Sequence, residues 1–377
     1  MKSMFFSRKG RAGRAAHAPE TAPAATIAEA VDPREIEAID AEIEALSEAN
    51  RTQPDPEVTR RILALRHQAG LKLIDRPVSE LAYPEPAFDR LGNGGGLPEA
   101  QAAEVTPELL RAAMLRGGCL LIRGLIPREE ALRLAGEIDR AFEARDAAAD
   151  SANGSAYFDD FDADPRFALD VERTVVNGSG AGLLAADSPQ VIHQVFEAFE
   201  RAGMRRLAAD YLGERTAISV NKSLLRKVVP TLFKDAAEAA GTAGVRPSAW
   251  HQDGAFWNPE NGFVRDVRAL NVWLSLSRCG DLAPGMDIVG RRLERIVPTG
   301  TEGATFNWSV SQAVAEESAG EAGIARPIFE PGDALLFDEL CLHSTAAEPE
   351  MPNPRYAVES WFFGGSGFPT KYAPLAF

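Results

Sequence analysis

The chain has 377 residues, 45% of them hydrophobic and 25% charged, with 40 Lys plus Arg against 55 Asp plus Glu and a net charge of −15. That length holds two average domains or one β-rich catalytic domain with helical additions, and we read the second. No apolar run approaches the roughly 20 residues of a membrane-spanning helix, and the acidic balance repels nucleic acid and anionic membrane, so neither is an expected partner.

Residues 1–17, MKSMFFSRKGRAGRAAH, carry five basic residues and no acid, a pattern shared with transit peptides. With the Ala/Pro-rich APETAPAATIAEA behind them, residues 1–30 read as a disordered tail. From Pro33 to Leu46, Ile36, Ile39, Ile43 and Leu46 recur at helical spacing. A second helix is expected from Pro56 to Leu73, after the break at Gln53–Asp55, making a helical hairpin. Residues 31–98 are thus an appendage that ends in the hinge LGNGGGLP (Leu91–Pro98), suited to core packing or to a homodimer through its helices.

Residues 99–377 read as the catalytic domain. It opens with a helix over Pro107–Arg116, the strand-like CLLIRGLI, and a helix in PREEALRLAGEIDRAFEAR. One amphipathic helix is predicted for Val191–Leu212, after which the apolar period changes from about 3.6 to 2. Ile218–Val228, Val267–Leu276, Ala334–Phe337 and Tyr356–Phe363 are predicted strands, and Pro331-Gly332-Asp333 a turn. Short antiparallel strands of this kind close as a jelly roll or barrel, so the expected class is α+β with a mainly β core and flanking helices. Cys119, Cys279 and Cys341 are widely spaced and form no CxxC pair, which fits small buried residues in a reducing cytoplasm.

The chemistry concentrates in the histidines. His17, His67 and His193 read as surface or satisfied core residues. His251 differs, because Asp253 follows it in WHQDGAFW, and residues i and i+2 of an extended segment share one side. His343, in FDELCLHSTAAEP directly after PGDALLF, is the available third ligand for a 2-His-1-carboxylate face, which leaves positions open for Fe(II) chemistry. Twelve residues later Arg355 opens the strand RYAVESWFF. A buried arginine needs an anion: either a dicarboxylate bound at the metal or Glu359 on the same strand.

On these residues the chain resembles the phytanoyl-CoA dioxygenase-like branch of the Fe(II)/2-oxoglutarate oxygenases, from about Pro107 to Phe363, in GGCLLIRGLIPREEALRLAGEID, WHQDG, PGDALLFDELCLH and RYAVES. The resemblance implies a double-stranded β-helix of cupin-like form and a dioxygenase that consumes O2 and 2-oxoglutarate and releases succinate and CO2. It implies His251, Asp253 and His343 as iron ligands, and Arg355 with Thr345 on the distal carboxylate of 2-oxoglutarate. It further implies Gln252 and Trp273 as walls of the cosubstrate pocket, and hydroxylation of a small molecule rather than halogenation, since Asp253 occupies the position a halide would need. The chain departs from the family in APGMDIVGRRLERIVP, where an arginine pair replaces small residues, and in Ala357, where relatives carry serine.

Trp250, Phe256, Trp257 and Phe263 are read as core or as an apolar substrate wall, and Arg291 and Arg292 as a solvated pair or an anion attractor. Two rival functions stay open. Another cupin-like metalloenzyme, an isomerase or cofactor-independent dioxygenase, would keep the metal without needing Arg355; a non-catalytic binding protein would need neither.

Overall fold

The computed structural model describes residues 33–76, 82–92, 96–148, 155–230, 249–256, 267–348 and 350–377. The expected tail over residues 1–30 and residues 93–95 of the expected hinge lie outside them. In chain order the elements are α1 (Pro33–Thr52), α2 (Pro56–Ile74), β1 (Glu99–Gln101), α3 (Pro107–Gly117), β2 (Cys119–Arg123), α4 (Arg128–Ala148) and α5 (Asp170–Gly178). There follow β3 (Gly182–Leu184), α6 (Pro189–Arg201), α7 (Met204–Leu212), β4 (Thr216–Ser219), β5 (Leu224–Val228), β6 (Ala269–Ser275) and β7 (Gly285–Val289). The chain closes with α8 (Gln312–Ala319), β8 (Ile324–Ala325), β9 (Ala334–Phe337), β10 (His343–Ala346), β11 (Arg355–Gly364) and β12 (Pro374–Ala376). No helix among the described residues is long and apolar enough to cross a membrane.

Two of the predicted elements need correction. The helix predicted over Val191–Leu212 is two helices, because Gly203 adopts φ +73 and turns the chain between α6 and α7. The apolar period runs through the break and conceals it. The strand predicted over Ile218–Val228 is β4 and β5, separated by a turn at Val220–Ser223. That turn is held from outside: Val220 N donates to Ala373 O (2.8 Å) and Ala373 N to Asn221 Oδ1 (2.9 Å).

The strands form two mainly antiparallel sheets. The larger runs β1-β2-β9-β6-β11-β4-β12, with β5 joining β11 to β3 and only β1 and β2 parallel; the smaller is β10-β7-β8. Strand alternation gives the larger sheet two apolar faces. Leu120, Ile122, Leu270, Val272, Leu336, Val358 and Phe362 pack against helical residues such as Leu109, Leu134, Phe199 and Leu212. On the opposite face Cys119, Leu121, Trp273, Leu335, Phe337 and Ala357 pack against Met286 and Ile288 of the smaller sheet. The three cysteines are buried and free.

The apolar stripe of α1 (Ile36, Ile39, Ile43) packs on Ile62, Leu65, Ala69 and Leu73 of α2. In turn α2 lies on β12, where a Cβ at Gly70 would come within 2.8 Å of Pro374 O, so only glycine permits the approach. His67 is a satisfied core residue: Nε2 accepts from Asp164 N (2.9 Å), which makes Nδ1 the donor to Pro374 O (2.7 Å). His193 shares a buried hydrogen bond with the Asn50 amide at 3.2 Å.

Candidate metal centre

Two backbone hydrogen bonds create the site. His251 N donates to His343 O (2.9 Å) and His343 N to His251 O (3.0 Å), an antiparallel bridge that adds His251 to the edge of the smaller sheet beside β10. Residues directly opposite in such a pair send their side chains to the same face, and the two imidazole centroids lie 4.4 Å apart. The chain then enters a 3-10 turn at Asp253–Phe256, so Asp253 reaches the histidines from the head of a turn rather than along a continuing strand. Gly254 makes the turn possible: its N–H donates to Glu339 O (3.0 Å), and a Cβ there would meet Ile296 Cδ1 at 2.8 Å and Glu339 O at 3.0 Å.

The ligand atoms of His251, Asp253 and His343 all lie within 4.8 Å of one another, and His251 Nε2 is 3.5 Å from Asp253 Oδ1. Among the described residues no other His, Cys, Asp and Glu side chains gather in this way. His251 Nδ1 sits 2.7 Å from Ala249 O and His343 Nδ1 3.0 Å from Cys341 O. A carbonyl only accepts, so each Nδ1 carries the proton and each Nε2 lone pair faces the cluster. Burial holds the His251 imidazole well below its ordinary pKa, with His343 adding to the effect, and burial lowers His343 as well. Both rings are therefore neutral donors.

Asp253 is 3% exposed, and Asn271 Nδ2 donates to its Oδ2. Burial pushes its carboxyl well above the usual range, and Glu359 pushes it further. A carboxylate kept there needs a cation, and two neutral imidazoles beside it complete the donor set of a divalent transition metal with open positions.

Arg355, the first residue of β11, is 2% exposed. Its Nη1 donates to Gly285 O (3.1 Å), Nε has no partner, and among the described residues no carboxylate lies within ion-pair distance. Burial lowers its pKa to about 10. Glu359 is engaged elsewhere, in a two-pronged pair with Arg226 at 3.0 Å on both arms. Gly285 pairs with Ala346 of β10, which places the guanidinium roughly 7–10 Å along that strand from His343. Thr345 stands two residues after His343, on the same side of β10. The Trp273 ring lies 5.5 Å from the Arg355 guanidinium and packs edge-on against Phe329.

No protein-family model matches the chain, and no curated protein matches it. Among solved structures it is similar to EctD from S. alaskensis with 2-oxoglutarate and 5-hydroxyectoine, at 18% identity and a TM-score of 0.48 over 76% of this chain and 88% of that one. It is also similar to the non-heme alpha ketoglutarate dependent carbocyclase SnoK from nogalamycin biosynthesis (12%, TM-score 0.41, 70% and 86%). A third is EvdO2 from Micromonospora carbonacea var. aurantiaca complexed with 2-oxoglutarate (16%, TM-score 0.42, 71% and 91%). These are distant likenesses.

Aromatic rings pack beside His251 of the cluster. The His251 ring meets Phe256 (5.8 Å between centroids) and Trp308 (5.4 Å), both edge-on; Phe256 and Trp308 lie 5.3 Å apart, and Phe306 stacks on Trp308 at 4.9 Å. Phe306 and Trp308 sit in a loop without apolar period, so nothing in the sequence marks them. Of the four aromatics singled out from sequence, Phe256 faces the site, whereas Trp250 is buried with its Nε1 on Gln312 Oε1 (2.6 Å). Trp257 and Phe263 lie outside the described residues. Arg291 donates to Ser318 O at the surface, and Arg292 pairs with buried Asp338 at 2.6 Å.

Gln252, between His251 and Asp253, uses its amide on three backbone groups: Nε2 donates to Arg295 O (3.0 Å) and Leu340 O (2.8 Å), and Oε1 accepts from Val297 N (2.7 Å). Gln252→Ala is expected to destabilise the protein by about 1–3 kcal/mol, the cost of leaving buried polar groups unpaired. Denaturant unfolding measures it. Full stability in the variant would mean that these three hydrogen bonds do not hold the segment in place.

Proposed function

We propose that the chain is an Fe(II)- and 2-oxoglutarate-dependent oxygenase on a double-stranded β-helix, of the phytanoyl-CoA dioxygenase-like kind, which hydroxylates a small organic substrate and releases succinate and CO2. One observation carries the reading: a buried Arg355 guanidinium that has no carboxylate partner among the described residues and is held on Gly285, opposite the strand that carries His343 of the His/Asp/His face. A metal-dependent isomerase or a cofactor-independent dioxygenase has no use for that cation, and a binding protein has no use for the neutral imidazole pair.

In this reading His251, Asp253 and His343 hold the iron, which when bound supplies the redox chemistry with O2. Ala249 and Cys341 carbonyls keep both Nε2 atoms aimed, and Asn271 fixes the Asp253 carboxylate. Arg355 binds the distal carboxylate of 2-oxoglutarate through its fork, with the Thr345 hydroxyl beside it and Trp273 bounding the guanidinium. Phe256, Trp308 and Trp361 keep water from the reacting centre. Anaerobic titration of the full chain with Fe(II), then 2-oxoglutarate, followed by a metabolite screen for O2-dependent succinate, tests the proposal. Iron uptake without any 2-oxoglutarate binding would favour the other metalloenzymes.

A further inference from the structure

Among the described residues Arg355 has no carboxylate partner, and the same holds for Lys222, in the turn between β4 and β5. Its neighbours Asn221 and Ser223 are buried, and the turn is tied to the 372–373 segment by the Val220 and Ala373 hydrogen bonds already described. The half-buried Lys222 side chain places Nζ 4.4 Å from the centroid of Phe256, 5.3 Å from Trp361 and 5.9 Å from Tyr372. Phe256 in turn touches the His251 ring.

Ring faces attract an ammonium but accept none of its three hydrogen bonds in full, and among the described residues Lys222 has neither a hydrogen-bond acceptor nor a carboxylate within ion-pair distance. The other cations nearby are occupied: Arg226 by Glu359, and Lys371 by the Phe256 carbonyl. Burial lowers the Lys222 pKa against the opposing pull of Asp253 and Glu172, so the charge sits where water compensates it poorly. An organic anion would supply what is missing.

Arg355 and Lys222 lie well apart along β11. Along the site-facing side of β11, Arg355 stands at one end and Glu359 beyond it; Trp361, at Lys222, comes six residues after Arg355, roughly 20 Å away along the strand. One dicarboxylate held at the metal by one end and by Arg355 at the other cannot also reach Lys222. We propose that Lys222 anchors a carboxylate or phosphate group of the primary substrate, whose apolar body lies against Phe256 and Trp361. This rests on the oxygenase reading and adds the substrate class to it: an apolar organic anion.

The test uses the full chain loaded anaerobically with Fe(II) and 2-oxoglutarate and titrated calorimetrically with phenylacetate, phenyl phosphate and the neutral phenylacetamide. At least one anion is expected to bind about tenfold or more tighter than the amide, the scale of a charge-assisted hydrogen bond. Lys222→Met removes that preference, Lys222→Arg keeps most of it, and neither moves 2-oxoglutarate affinity; a thermal melt shows that both are folded. The stronger anion tells carboxylate from phosphate. The proposal falls if neither anion outbinds the amide, if Lys222→Met keeps the preference, or if it weakens 2-oxoglutarate instead, which would assign Lys222 to the cosubstrate. Should the wild type take up neither iron nor 2-oxoglutarate, the oxygenase reading fails. The same titration on the metal-free chain then still decides whether Lys222 binds organic anions.

Discussion

His343→Ala, and equally His251→Ala, is expected to remove tight Fe(II) binding while the fold survives. Both residues form their mutual bridge through backbone N–H and C=O groups, which alanine retains, so the variants lose the imidazole and keep the strand pairing. Each lost ring also frees only one carbonyl, Cys341 O or Ala249 O. Removing a partner that merely orients a ligand costs about 10–100-fold in metal affinity, and removing the ligand itself costs more. Asn271→Ala, which deletes the donor to Asp253, therefore falls in the lower range. Anaerobic titration with Fe(II), with melting temperature recorded alongside, measures all three. Wild-type affinity in His343→Ala would take the metal away from this cluster.

Arg355→Leu is expected to weaken 2-oxoglutarate binding by roughly 10- to 150-fold, the equivalent of about 1.5–3 kcal/mol for a charge-assisted hydrogen bond, and to leave Fe(II) affinity nearly intact. Stability should hold or rise, because leucine replaces a buried cation that lacks an ion-pair partner among the described residues. The rival role, a structural salt bridge to Glu359, requires the opposite pattern of lower melting temperature and unchanged cosubstrate affinity, and the Arg226–Glu359 pair already argues against it. Lysine at 355 restores part of the affinity, as a point charge in place of a fork. Unchanged 2-oxoglutarate affinity in the folded leucine variant would end this assignment.

Much of the local structure is legible in the sequence. The isoleucine spacing of α1, the proline starts of α2 and α3, and the alternation in β6 and β11 each follow from a few adjacent residues. Backbone period and capping act over one or two turns, and that is the range they report. The separation of two between His251 and Asp253 was equally visible, although the reason they converge is a 3-10 turn that Gly254 permits, not an extended strand.

What the sequence determined by itself was the inventory: an acidic chain with a helical beginning, a β-rich second half, and three ligand-type residues with an arginine to follow. The tertiary structure decided who meets whom. His343 lies 92 residues (343 − 251) from His251, and only sheet register makes them opposite neighbours. Arg226 takes Glu359 because β5 and β11 are paired, and that pairing leaves Arg355 without a carboxylate among the described residues. Lys222 gains its three aromatic faces from the 3-10 turn at Asp253–Phe256, from β11 and from the segment before β12. Register and long-range packing are set by the burial of whole faces at once, a property that no single stretch of residues carries.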